Sequence, residues 1–136
     1  MATEATLDDL LVGDELLVAV LSEFPPDAKL NLDEAIITDA FYKVRLNGNQ
    51  KYDELFANYS FDEDGVVPYS SEISEGLRNL RQTALVEKFN PTFTYYQLSP
   101  GIKIRFQKFI APRLTDKQIA LIKSLSEDMK KELRIR

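Results

Sequence analysis

The chain has 136 residues, 44% of them hydrophobic and 29% charged, the balance of one globular domain with a single core. It contains no cysteine and no histidine, which excludes disulfides, thiolate chemistry, Ser-His-Asp and Cys-His catalysis and histidine-rich metal sites. The net charge of -5 is unevenly divided: residues 1–101 carry 7 basic and 18 acidic side chains, residues 102–136 carry 10 basic and 4 acidic.

The acidic start, MATEATLDDLL, lacks the basic opening of a signal peptide. The longest apolar run, Leu16 to Leu21, is too short to span a bilayer, so a cytoplasmic chain is expected. A first helix is predicted from about Leu7 to Phe24, with Leu17, Val20, Leu21 and Phe24 at helical spacing and Pro25-Pro26 ending it. Asn31 is the predicted N-cap of a second helix, answered by Glu34 three residues on. Its apolar stripe is Ile36, Ile37, Ala40, Phe41 and Val44, and it stops at Asn47-Gly48. A short third helix follows, with Tyr52, Leu55, Phe56 and Tyr59 on one face.

The stretch Phe61-Asp62-Glu63-Asp64-Gly65 reads as a solvated acidic loop. It has neither the alternating oxygen ligands nor the closing glutamate of a calcium loop, so no metal is assigned to it. After Pro68-Tyr69, Ser70 or Ser71 caps another helix, whose inner face is Ile73, Leu77, Leu80 and Ala84. Leu85 to Phe89 and Phe93 to Leu98 are predicted strands joined by Asn90-Pro91-Thr92. Ser99-Pro100 opens the next helix, which points Ile102, Phe106, Phe109 and Ile110 inward and stops at Pro112. Thr115 and Gln118 form a capping box for the last helix, along which Ile119, Ile122, Leu125, Met129 and Leu133 recur. The expected fold class is therefore mostly α (α+β): a single winged-helix-like domain over 1–136. It divides into a helical part 7–60, a helix plus two-stranded β wing over 68–99, and C-terminal helices over 100–136.

The run from Phe61 through Val67-Pro68-Tyr69-Ser70, then Leu77, Leu80, Leu85-Val86, Tyr95-Tyr96-Gln97-Leu98-Ser99 and Gly101, resembles a family pattern. It is similar to the Panacea (SocA-like) antitoxin and adapter domains, and to the small middle components of bacterial three-component defence systems. Val67 and Ala84 stand where that pattern has glycine. The resemblance is best over residues 61–101. It implies a non-enzymatic module that binds a toxin, a protease or another subunit of a defence complex. The motif itself sets a turn, caps a helix and packs leucines, so it speaks to fold more than to activity.

The helix opened by Ser70 carries the functional question. Glu72 and Glu75 in its first turn suit the positive end of the helix dipole and repel phosphate. Arg78, Asn79, Arg81 and Gln82 suit base edges but lie in its second half, away from the usual docking end. The expected partner-binding surface is Pro68, Tyr69, Glu72, Glu75, Arg78, Arg81 and Gln82. The alternative is a DNA-binding regulator that adds Lys88, Lys103, Arg105, Lys108 and Arg113, with Lys117, as a phosphate-contacting strip. The last helix either packs on the chain's own core or forms a homodimer through residues 115–135. The carboxylates and tyrosines form no arrangement that points to catalysis, and no cofactor is expected.

Overall fold

A computed structural model describes residues 11–25, 29–31, 33–65, 68–83, 86–88 and 95–133. In chain order the elements are α1 (Glu15–Leu21), β1 (Lys29–Asn31), α2 (Glu34–Asn47), α3 (Ser71–Gln82), β2 (Val86–Lys88), β3 (Tyr95–Leu98), α4 (Gly101–Arg105) and α5 (Asp116–Leu133). Between α4 and α5 the chain winds through a π-helical turn (Phe106–Ile110) and a 3-10 turn (Ala111–Arg113).

The six apolar residues Leu16 to Leu21 are all buried in α1. A helix that is apolar on every side needs neighbours on every side, and α3, α4 and α5 all pack against it. This helix is shorter than the sequence suggests. Gly13 adopts a left-handed φ of 59°, so helical geometry begins only at Glu15, and residues 7–10 lie outside the described residues. At the other end the Ser22 hydroxyl donates to the Ala19 carbonyl at 2.7 Å, and Phe24 is buried beyond the helix.

The second helix is capped two residues later than expected. Asp33, not Asn31, accepts from the Ala35 and Ile36 amides at 3.0 and 3.3 Å, and Asn31 belongs to β1. The predicted third helix is instead a series of turns. Asn49 and Gln50 take positive φ values of 49° and 73°, and i→i+3 bonds such as Leu55 N to Tyr52 O at 2.9 Å follow. Its apolar face was correctly assigned: Tyr52, Leu55, Phe56 and Tyr59 are all buried. Tyr52 fastens these turns to α5 by donating to Asp128 Oδ2 at 2.5 Å, with Ser124 Oγ at 2.8 Å. Burial, then the bond to Asp128, pushes the Tyr52 phenol up to about 12, so it remains a donor at any physiological pH.

The expectation of a winged helix with a two-stranded β wing is overturned. The fold of the described residues is predominantly helical, and its strands do not form a two-stranded unit. The hairpin's short segments, β2 and β3, belong to a three-stranded antiparallel sheet of order β1-β3-β2, with β3 at the centre. Leu30 pairs with Tyr96 on one side of β3 and Lys88 with Tyr96 on the other. The missing strand comes from residues 29–31, whose three positions are too few for an alternating pattern to show. The turn Asn90-Pro91-Thr92 lies outside the described residues.

The helix opened by Pro100 departs from expectation in one side chain. In the π turn the Ala111 amide reaches back to the Phe106 carbonyl, five residues away. The wider turn keeps Ile102, Phe106 and Ile110 inward and swings Phe109 out to 69% exposure, so Phe109 is not a core residue. The α5 capping box forms as read: Thr115 N donates to Gln118 Oε1 at 2.8 Å and Gln118 N to Thr115 Oγ1 at 3.1 Å. Ile122, Leu125 and Met129 are buried against α1 and α2, and Ser126 donates to the Val20 carbonyl at 2.8 Å. Among the described residues no helix is long and apolar enough to cross a membrane.

Helix α3 approaches α1 through Gly76. A Cβ there would lie 2.8 Å from Leu17 Cδ1 and 3.1 Å from Asp14 Cα. Alanine in a helix interior ordinarily gains about 1 kcal/mol over glycine, whereas overpacking a filled core costs about 1–3 kcal/mol. Leu17 is fully buried and cannot move aside, so overpacking wins. Gly76→Ala is predicted to lower unfolding stability in urea by about 1 kcal/mol net. A rise in stability would show that the helices are not in tight contact.

Candidate interaction surface

Polar groups converge on the N-terminal end of α1. The Asp14 side chain is 5% exposed. It accepts from Arg105 Nη2 at 2.6 Å and Nη1 at 2.5 Å, and from the Asn79 amide. A buried carboxylate is tolerable only when paired and hydrogen-bonded, and here α3 and α4 supply the donors. The bonds to Asp14 hold the Arg105 guanidinium above its ordinary value, against the opposing effect of burial. Next to it, Glu15 takes the Val12 amide at 3.0 Å and the Arg113 guanidinium at 2.7 Å. The Leu16 amide, an unpaired donor of the first turn, is satisfied by the buried Tyr59 phenol at 3.2 Å. That phenol donates in turn to the Gly13 carbonyl at 2.8 Å, and its burial raises its pKa.

Helix α3 is capped by Ser70, whose hydroxyl faces the Ile73 amide at 3.4 Å. Just before it, the backbones of Asp62 and Tyr69 pair at 2.7 and 2.9 Å, which fixes the entry of the chain. Pro68 is half-buried there and the Tyr69 ring is 51% exposed. Ile73, Leu77 and Leu80 point into the core. On the opposite face Glu75, Arg78, Arg81 and Gln82 are exposed, and none makes an ion pair or side-chain hydrogen bond among the described residues. Glu75, Arg78 and Gln82 border a shallow cleft of about 370 Å³ whose floor includes Gly13, Asp14, Gly76 and Asn79.

Glu72 stands apart from the other predicted contacts. Its carboxylate accepts from the Ser60 amide at 2.5 Å and hydroxyl at 2.9 Å, and from the Ser71 hydroxyl. It therefore ties the start of α3 to the end of the turn segment. Asn79, read as suitable for bases, is engaged with Asp14.

The basic strip proposed for phosphate is divided in the same way. Arg105 and Arg113 are committed to Asp14 and Glu15, while Lys103, Lys108 and Lys117 are exposed without ion pairs among the described residues. Lys88 lies on β2, where only the backbone is described. The acidic loop is also engaged, Asp62 taking the Asp64 amide at 2.9 Å and Glu63 the Tyr42 hydroxyl at 2.6 Å. Among the described residues no group of three or more acidic side chains is placed to hold a metal ion.

The sequence does not point to Asp14 or Gly76, and it marks Tyr59 only as a core residue, not as the partner of the Leu16 amide and the Gly13 carbonyl. The one available signal for Asp14 is its place beside a wholly apolar run, where a buried carboxylate must be met by donors from other elements. No protein-family model, curated protein or solved structure matches this chain.

Burial alone would raise the Glu72 pKa, but the bonds from Ser71 and Ser60 outweigh it and hold the carboxyl below its ordinary value of 4.5. A carboxylate depressed in the folded state contributes stability that is complete above its unfolded pKa and lost as pH falls through the folded one. Glu72→Gln should therefore be less stable than the parent at pH 7, with the gap closing as pH drops below about 4.5. Urea midpoints at several pH values measure this, and a gap independent of pH would contradict it.

Proposed function

We propose that the chain is a non-enzymatic, cytoplasmic protein-binding module whose contact surface is the outer face of α3, with Tyr69 at its entry. The observation that carries this reading is the row Glu75, Arg78, Arg81 and Gln82, exposed and without ion-pair or hydrogen-bond partners in the described part of the chain. A mixed-sign row beside a cleft suits complementary charges on a protein better than a uniformly negative phosphate backbone. Tyrosine and arginine are the side chains that most often anchor protein interfaces. The resemblance over residues 61–101 makes a toxin or a defence-complex subunit the expected class of partner. Against DNA stands the engagement of Arg105 and Arg113 by acidic neighbours, which removes two cations from the expected basic strip.

The test is affinity capture from the source organism with tagged wild-type chain and the variants Arg78→Glu and Glu75→Arg, followed by reconstitution with the captured protein. The expected result is one stoichiometric partner held by the wild type. Affinity should fall at least tenfold for Arg78→Glu, with stability unchanged, as for a central interface arginine. Equal capture by both variants would overturn the α3 surface. Binding to mixed duplex DNA that falls steeply with salt would transfer the function to nucleic acid.

A further inference from the structure

At the opposite end of α1 from Asp14, the residues after its last turn and the start of α4 enclose an apolar slot of about 240 Å³. Leu21, Phe24, Leu98, Pro100, Ile102 and Lys103 line it. Its two wall hydroxyls are already used: Ser22 donates to the Ala19 carbonyl at 2.7 Å, and Ser99 accepts from the Gly101 amide at 3.1 Å. The polar group left at the slot is the Lys103 ammonium, exposed and without an ion pair among the described residues. Along the same helical stretch Lys108 is also exposed and unpaired. Between and beside these lysines Ile104 is 51% and Phe109 69% exposed. The stretch 103–109 therefore combines exposed apolar side chains with positive charge that no acid among the described residues pairs, on a chain whose net charge is -5.

We infer that the slot and the exposed residues of α4 and the π turn after it dock an acidic segment of a partner protein. One apolar side chain of that segment fills the slot, and its carboxylates lie against Lys103 and Lys108. Charge selects this occupant. A basic or neutral segment offers these ammonium groups no counter-charge beyond what the described residues supply, whereas carboxylates at the rim speed encounter and fix register. Size agrees, because cofactor and drug-sized pockets run to about 300–1,000 Å³ and this slot is smaller. The inference is independent of the α3 reading, since it concerns a different surface and different variants test it.

The experiment titrates the ¹⁵N-labelled full chain with a short, end-blocked peptide carrying one phenylalanine flanked by glutamates and aspartates. Two matched peptides serve as comparisons, one with alanine for the phenylalanine and one with glutamine and asparagine for the acids. Saturable amide shifts centred on Leu21, Ile102 and Lys103 are expected with the first peptide alone. Lys103→Glu and Lys108→Glu, both at exposed positions, should each weaken binding about fivefold or more, while Lys123→Glu on α5 leaves it unchanged. The inference is overturned if no saturable shift occurs at millimolar peptide, if the shifts map elsewhere, or if Lys103→Glu binds as well as the parent. Dodecanoate filling the slot where the peptide does not would overturn it in favour of a free fatty acid.

Discussion

A single carboxylate, that of Asp14, sits where three helices meet, and most of the architecture follows from keeping it satisfied. It stands at the start of α1, a helix too short and too apolar to be stable alone. Its oxygens are held by Arg105 from α4 and Asn79 from α3, so the register of both helices on α1 is fixed by polar geometry as well as by packing. Gly76 lets α3 come close enough for Asn79 to reach, and the Tyr59 phenol supplies the donor and acceptor that the first turn of α1 would otherwise lack. Removing Arg105 leaves the buried Asp14 carboxylate without its charged partner, which costs more than the bond itself contributes.

Internal pairing of this kind sorts the polar side chains at the surface into two populations. Arg105, Arg113, Asn79 and Glu72 hold the fold together and have little left to offer a ligand. Glu75, Arg78, Arg81, Lys103 and Lys108 have no such duty among the described residues. Sequence counting sees only a basic C-terminal third attached to an acidic body. The fold shows that part of this opposition is internal, because two arginines from the basic part neutralise two acids from the acidic part. A uniform cationic strip is thereby broken up, which is why the proposed role rests on protein recognition.

What could be read in the sequence was what depends on nearby residues. The stripes of α2 (except Ile36, which is 43% exposed), of α3 (with Ala84 outside the described residues) and of α5, the Ser70 cap and the Thr115–Gln118 box all arise from neighbours three or four positions apart. Features set by distant contacts stayed hidden. Arg105 and Asp14 are 91 residues apart, and β1 is defined only by its pairing with β3. The turn segment carries helical spacing without helical geometry, since left-handed residues after Gly48 reset the chain while Tyr52 and its neighbours still reach the core. An α-helical period places Phe109 in the core, but the stretch winds as a π turn and turns it outward. Helical spacing shows which α3 residues face outward, but not the division between its structural members, Glu72 and Asn79, and its uncommitted ones.

The most direct measurement is a double-mutant cycle on Asp14→Asn and Arg105→Met, with unfolding free energies taken from urea denaturation. Contacts within one hydrogen-bonded group couple by about 0.5–3 kcal/mol, and the bidentate geometry here predicts a coupling of at least about 1 kcal/mol. Additivity to within about 0.5 kcal/mol would contradict the claim that this pair organises the three helices.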